Sequence, residues 1–122
     1  HHSNYIRYLE EARCTFLEKI GLSFAYLEEN GITIPVLGVN VEYKFHVTFS
    51  DIVEIHVYIK DYNGVRMNIG YEILEKETKK KVLSGETKHC FTNRELRPIN
   101  LKKYNFEIHN KFDVLINGSK GE

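Results

Sequence analysis

Histidine and cysteine are among the residue types in this sequence that could bind a metal or act as nucleophiles. The chain has 6 histidines and 2 cysteines among 122 residues. His46, His56 and His89 fall in or beside strand-like segments, where an imidazole on a polar face is ordinary, and their spacing matches no recognised ligand pattern. Cys14 and Cys90 lack the Cys-x-x-Cys spacing of metal or redox sites. We therefore expect reduced, structural thiols and no metal site.

A histidine pair also opens the chain and leads directly into a long helical pattern that ends at Gly21. Apolar side chains recur there at intervals of three and four positions, which places them on one helical face: Tyr5, Leu9, Ala12, Phe16 and Ile20. Ser3 or Asn4 could cap the start, and Gly21 is the natural stop. His1 and His2 could instead be the remnant of an affinity tag, although the sequence continues from them without a linker.

Composition excludes some classes of partner. The 17 basic residues balance the 17 acidic ones, so there is no net field to attract nucleic acid or an anionic membrane surface. No apolar run approaches the roughly 20 residues that span a bilayer, and no basic-then-apolar leader is visible. We expect one soluble, cytoplasmic domain over residues 1–122, with a poorly ordered tail at 110–122.

After a short second helical piece at Ser23–Glu29, the apolar period changes to the two-residue alternation of strands. Strands are predicted at Val39–Phe45 (half-buried), Val53–Lys60, Val65–Ile73 and Lys81–Thr92, the last with Leu83, Thr87 and Phe91 on one face. Asn63-Gly64 predicts a tight antiparallel hairpin. A sheet with one apolar face can curl around a single long helix so that each buries the other. The sequence thus predicts an α+β roll.

The helix start carries the most specific resemblance to a known family. His2-Ser3-Asn4-Tyr5, followed by Arg7-Tyr8-Leu9-Glu10-Glu11-Ala12-Arg13, resembles hotdog-fold acyl-CoA thioesterases of the 4-hydroxybenzoyl-CoA thioesterase and YbgC type. In those proteins His-Ala-Asn-Tyr leads into a helix with Phe-Glu-x-Ala-Arg. Val39–Tyr43 with Asp51–Ile55 is similar to their paired strands, and Arg97-Pro98 to the segment after their last strand. The resemblance covers most of residues 1–110 and implies a hotdog fold, an antiparallel sheet wrapped around one long helix.

The resemblance implies hydrolysis of the thioester of a short-chain or aromatic acyl-CoA. It implies no cofactor, because CoA is part of the substrate. The amides of His2 and Ser3, at the helix N-terminus, would receive the developing oxyanion. The His2 imidazole would orient the attacking water or the substrate. His2, Ser3, Asn4 and Tyr5 are therefore the candidate catalytic residues.

The family's acidic residue has no counterpart in this sequence. By analogy with the motif it would lie several residues before His2, upstream of residue 1. Glu10 and Glu11 are the alternatives, because another hotdog lineage uses a helix glutamate. A solvated face, or a pair with Arg7 or Arg13, is the commoner reason for such residues inside a helix. Glu11 is kept as the weaker catalytic candidate.

Coenzyme A would also bring phosphates to the site. The candidates for binding them are basic residues near the end of the sheet: Arg94, Arg97, Lys102 and Lys103. Basic loops are usually just solvated, so this assignment rests on the implied substrate.

Two other functions are compatible with the same pattern. One is a non-catalytic module that binds an acyl group or another small ligand and kept the roll but not the acid. The other is a hotdog dehydratase, whose His-centred motif differs from His-Ser-Asn-Tyr. In each case the exposed edges of a sheet that curls without closing predict a homodimer or homotetramer.

Overall fold

The long N-terminal helix lies where the sequence predicts it and ends at the predicted residue. The computed structural model describes residues 2–44 and 52–118, with side chains from residue 5 onward. Helix α1 spans His2–Lys19. Gly21 has a positive φ of 80° and donates its N–H to the Glu18 carbonyl at 3.1 Å. The next N–H, that of Leu22, donates to the Leu17 carbonyl at 2.8 Å. These two bonds satisfy the last carbonyls of the helix, so Gly21 is its stop.

Two details of the predicted helix are wrong. Because α1 already includes Ser3 and Asn4, neither residue caps its start. The line of α1 that is fully buried consists of Leu9, Arg13 and Leu17, whereas most of the predicted apolar stripe is only partly buried at the margin of the core. Arg13 therefore faces the interior at the centre of the helix.

A short second helix, α2, spans Phe24–Glu29. Ser23 Oγ accepts the N–H of Tyr26 at 3.2 Å, which caps the first turn. Gly31, with φ 75°, ends α2 by the same pair of backbone bonds that Gly21 makes at the end of α1. The predicted second helical piece and its closing turn are confirmed.

Within the described residues, four antiparallel strands form one sheet in the order β1-β4-β3-β2. Their bounds are β1 Val36–Tyr43, β2 Val53–Tyr62, β3 Arg66–Glu75 and β4 Lys81–Cys90. The β2–β3 hairpin turns at the predicted residues, where Gly64 has φ 91°. Asn63 Oδ1 accepts the N–H groups of Val65 and Arg66 at 2.9 and 2.8 Å. This side-chain closure stabilises the turn and fixes the register of the hairpin.

One face of the sheet carries the core. Alternate residues of β3, β4 and the position after β4 are buried on the side that faces α1: Met67, Ile69, Tyr71, Ile73, Leu83, Thr87, His89 and Phe91. The predicted common face of Leu83, Thr87 and Phe91 is confirmed. Gly85 lets the helix approach β4, because a Cβ there would lie 3.4 Å from Leu9 Cδ1. The opposite face is polar, with the Lys60 ammonium reaching Glu86 at 3.2 Å.

The first strand differs from the half-buried strand predicted at Val39–Phe45. β1 begins at Val36, and Phe45 lies outside the described residues. Among the described residues its neighbour in the sheet is β4 alone, and several of its apolar side chains stay exposed: Val36, Leu37, Val39 and Tyr43. β1 is therefore an apolar edge strand, because it lies at the margin of the area that α1 covers.

The predicted disordered tail is wrong for most of its length. After a short helix α3 at Leu101–Tyr104, helix α4 spans Phe106–Asn117. Asn105 caps α4 by accepting the N–H of Ile108 at 3.1 Å. Phe112 is fully buried, and its ring centroid lies 5.3 Å from that of Tyr62. The segment is ordered because it covers the end of the core that α1 does not reach.

The buried position of Phe112 predicts a large stability cost for its removal. Phe112→Ala should lower the free energy of unfolding by about 3–5 kcal/mol, because it leaves a cavity between α4 and the sheet. Urea denaturation followed by circular dichroism measures this change. Leu115→Ala, on the same helix at 46% exposure, is the matched control and should cost less than about 1 kcal/mol. Equal, small effects of both variants would contradict the packing of α4.

Candidate active site at the start of α1

Helix α1 starts at the end of the sheet where β1 finishes. The rings of Tyr5 and Tyr43 meet edge to face, with centroids 5.8 Å apart and planes at 61°. Tyr8 makes a second edge contact with Tyr5 at 6.2 Å. These aromatic contacts hold the first turns of α1 against the last residue of β1. Tyr5, a candidate catalytic residue, thus has a clear packing role beside the site.

The first turn of α1 offers a group of backbone donors. His2, Ser3 and Asn4 all lie in this turn, so the structure brings these three candidates together through their backbone. The first N–H groups of any helix have no intrahelical partner and carry its positive end. No acidic side chain lies in the first turn of α1, so none neutralises that end from within the helix. Such a site can stabilise an anion or a developing oxyanion.

The alternative acids on α1 lie away from this turn. Glu10 and Glu11 are both exposed. Glu11 is about 13 Å from His2 along the helix axis, and it lines a groove of about 420 Å³ between α1 and β2. Thr15 and His56 line the same groove. A glutamate at that distance does not reach a carbonyl held by the first-turn amides of its own helix.

The predicted phosphate-binding residues lie at the opposite end of the protomer. Arg94, Arg97, Lys102 and Lys103 are all exposed, but Arg94 is engaged in the fold. Its Nη2 donates to the carbonyls of Glu28 and Glu29 at 3.2 Å and so closes the C-terminus of α2. This end follows Phe91, whereas α1 starts beside Tyr43, about one helix length away, or roughly 27 Å. One protomer therefore does not bring this group next to the start of α1.

Sequence reasoning missed a chain of buried polar side chains between α1 and the sheet. Arg13 Nη1 donates to Tyr71 Oη at 3.1 Å. Tyr71 Oη and Thr87 Oγ1 are 2.7 Å apart, and Thr87 Oγ1 and His89 Nε2 are also 2.7 Å apart. All four side chains are buried. The four-residue spacing of Leu9 and Arg13 was the available signal that Arg13 faces inward, and the alternation of Thr87, His89 and Phe91 was the signal for the histidine.

Only the first bond of this chain has a fixed direction: the guanidinium has donors only, so Tyr71 Oη accepts from Arg13. Either hydroxyl can donate in the bond between Tyr71 and Thr87, and the roles of Thr87 and His89 Nε2 depend on the histidine tautomer. Burial, with the nearby Arg13 charge, lowers the pKa of His89 to about 4. The Ile34 and Pro35 carbonyls act in the opposite sense, but Nδ1 makes no hydrogen bond within the described residues. His89 thus lies on the inner face as a neutral imidazole, which corrects its sequence-based placement on a polar strand face.

The chain is similar to known thioesterases over most of its length. Residues 1–112 match the family model of the thioesterase-like superfamily. YneP of Bacillus subtilis (strain 168), which carries the name of an acyl-CoA thioesterase, is 24% identical over 113 residues, or 93% of this chain and 82% of that protein. A protein of Aquifex aeolicus (strain VF5) named as an esterase is 31% identical over 90 residues, covering 74% of this chain and 69% of that protein.

Solved structures show the same likeness. The DHNA-CoA thioesterase from Staphylococcus aureus superposes with a TM-score of 0.84 and 28% sequence identity, covering 100% of this chain and 83% of that chain. A hypothetical protein from Thermus thermophilus superposes with a TM-score of 0.81 at 25% identity, over 94% of this chain and 84% of that one. Both alignments extend over nearly the whole sequence.

The buried histidine predicts that the stability of the fold depends on pH. His89 has a folded pKa of about 4, below the value near 6.5 of an unfolded histidine. Its contribution is therefore fully present above about pH 6.5 and is lost as the pH falls through 4, because only the unfolded chain binds the proton easily. Between about pH 7 and about pH 5 the free energy of unfolding should fall by about 2 kcal/mol from this group.

Urea denaturation across that pH range measures the effect. His89→Gln removes the titrating group, so its stability should change less with pH than that of the parent. A slope that His89→Gln leaves unchanged would show that His89 is not held neutral by its surroundings.

Proposed function

Because this chain belongs to the thioesterase-like superfamily and is a thioester hydrolase with a hotdog fold, we propose that it hydrolyses an aromatic acyl-CoA at the start of α1. The observation that carries the site is the first turn of α1, whose amides are free of any acidic side chain in that turn. The aromatic preference is supported by the likeness to the Staphylococcus aureus DHNA-CoA thioesterase at 28% identity. Short-chain acyl groups are the alternative substrates.

The reaction needs a place for negative charge and a proton acceptor. Water adds to the thioester carbonyl carbon, and the carbonyl oxygen becomes an oxyanion that the amides of His2 and Ser3 would receive. Collapse of this intermediate breaks the C–S bond, releases CoA as a thiolate and leaves the free acid. The His2 imidazole would orient the water or the substrate.

A carboxylate would take the proton from the attacking water. We place this acid before His1, because the glutamates of α1 project from later turns: Glu10 and Glu11 are about 12 and 13 Å along the axis from His2. Glu11 lines the groove between α1 and β2, but it lies too far along α1 to reach a carbonyl held by the first-turn amides of its own helix.

The edge strand β1 supports a homodimer. Three of its exposed residues are apolar at about half exposure, with Leu37 and Val39 both at 52% and Val36 at 44%. The other edge, β2, carries charged side chains on its outer face, among them Glu54 and Lys60. In natural proteins such charges on an edge strand prevent it from pairing with another chain. We therefore propose that two copies pair along β1.

Antiparallel pairing of β1 with its copy would also unite the two separated parts of the site. All strand neighbours in the described sheet are antiparallel, and the same relation across the dimer reverses one copy. The start of the partner's β1 then lies beside Tyr43 and the first turn of α1. Thr92 bridges to both Thr33 and Pro98, so the partner's Arg97 lies next to the start of its β1. The CoA phosphates would thus meet the partner's basic residues.

Location and cofactor use stay predictions from the sequence. No helix in the described part of the chain has both the length and the apolar character needed to cross a bilayer. A cytoplasmic location stays a prediction, and so does hydrolysis without any cofactor beyond the CoA of the substrate.

Thioester hydrolysis is tested directly with the full-length protein. Release of free thiol should be faster from an aryl-CoA, such as 1,4-dihydroxy-2-naphthoyl-CoA, than from acetyl- or butyryl-CoA, with kcat/KM differing by roughly tenfold or more. His2→Ala should lower kcat without changing the melting temperature. Binding of an aryl-CoA without thiol release would favour the non-catalytic binding module instead.

A mixed-subunit experiment tests the composite site. One variant carries His2→Ala, and the other carries Arg97→Gln, Lys102→Gln and Lys103→Gln. If the basic residues act on the partner's α1, mixing equal amounts should restore about a quarter of parental activity, because half of the dimers are mixed and each has one intact site. Light scattering on each variant checks that it is still a dimer. No recovery on mixing, with mixed dimers present, would contradict the arrangement across subunits.

A further inference from the structure

Arg13 brings a positive charge into the apolar centre of the fold. The side chain is 8% exposed and lies between the buried Leu9 and Leu17 of the same helix face. Its Nη1 donates to Tyr71, while its Nε has no partner among the described residues. Burying a guanidinium with incomplete pairing costs free energy, and replacing such a group by a well-packed apolar side chain is often neutral or stabilising. A contribution to stability therefore does not explain why an arginine occupies position 13.

The arginine supplies directional hydrogen bonds between α1 and the sheet. Leucine side chains on a helix can pack against an apolar sheet in several nearly equivalent positions. Hydrogen bonds weaken steeply away from their ideal distance and angle. The series of buried hydrogen bonds joins three elements: Arg13 of α1, Tyr71 of β3 and Thr87 of β4. A small slide or rotation of α1 would break it. Buried polar groups specify one packing arrangement in other systems in this way.

Helix α1 connects this anchor to the proposed site. Arg13 lies about 16 Å from His2 along a continuous helix, so any axial slide at Arg13 moves the first-turn amides by the same amount. Oxyanion donors act only when they lie at hydrogen-bond distance from the reacting oxygen. A misplacement of about 1 Å, caused by a change far from the chemistry, can cost about a hundredfold in rate.

We propose that Arg13 is a positioning residue: its hydrogen-bonded chain through Tyr71 and Thr87 to His89 sets the position of α1 on the sheet and thereby the position of the first-turn amides. This role rests on the proposed function, because it concerns the same amides. The four buried side chains thus affect catalysis although none of them contacts the substrate.

The test separates turnover from stability. Arg13→Met keeps an unbranched apolar stem and removes the charged head. It should melt at or above the parental temperature, whereas kcat for aryl-CoA should fall by about tenfold to a hundredfold and KM should change little. Tyr71→Phe, which leaves the buried guanidinium unpaired, should lose both stability and turnover. The double variant should regain stability but not turnover, because the unpaired charge is gone while the anchor stays broken.

Leu17→Met is the matched control, because it changes apolar packing on the same buried line without touching the polar chain. It should keep kcat within about twofold of the parent. The inference is overturned if Arg13→Met retains parental turnover, if it fails to fold, or if Leu17→Met loses as much activity.

Amide hydrogen exchange gives a readout that does not depend on any reaction. In Arg13→Met the amides of residues 5–9 should exchange at least about tenfold faster than in the parent, while those of β3 should be unchanged. If the parent hydrolyses no thioester, the proposed function fails, and the exchange data alone then decide the role of Arg13. Unchanged exchange in residues 5–9 would refute that role in either case.

Discussion

The packing of one helix line against one sheet face is the interaction on which the rest of this structure depends. Leu9, Arg13 and Leu17 of α1 are buried together, and Leu9 reaches the backbone of β4 at Gly85. An isolated helix of this length is marginal in water, and the inner face of β3 would otherwise expose four consecutive alternate side chains of the core. Each element is stable because the other removes its apolar surface from water.

Helix α1 runs from one end of the sheet towards the other, and the two ends of the protomer differ in their chemical groups. One end holds the first turn of α1 beside Tyr43, with backbone donors and the positive end of the helix dipole. The other end holds α2, α3 and α4, with Arg94 committed to the C-terminus of α2. The two ends cannot serve one substrate within a single copy. Assembly along the apolar edge of β1 offers a physical route to bring them together.

Burial stabilises the fold and also determines which of its buried polar side chains carry a charge. Arg13 is positively charged under all ordinary conditions, so the chain ends on a neutral imidazole, and burial beside Arg13 lowers the pKa of His89. Tyr71 and Thr87 connect the guanidinium to this imidazole through their hydroxyl groups. Directional bonds in the middle of an apolar interface thus restrict α1 to one position at a cost in stability.

Local patterns along the chain determined the elements and the family, because they depend on residues close together in sequence. The period of apolar residues gave α1 and the strands, Gly21 and Gly64 gave the helix stop and the hairpin, and the segment from His2 to Arg13 pointed to the thioesterase family. Tertiary structure alone decided the rest. The burial of Arg13 and His89, the docking of α4 through Phe112 and the separation of Arg97 from the start of α1 depend on which surfaces meet, and that follows from packing across the whole fold.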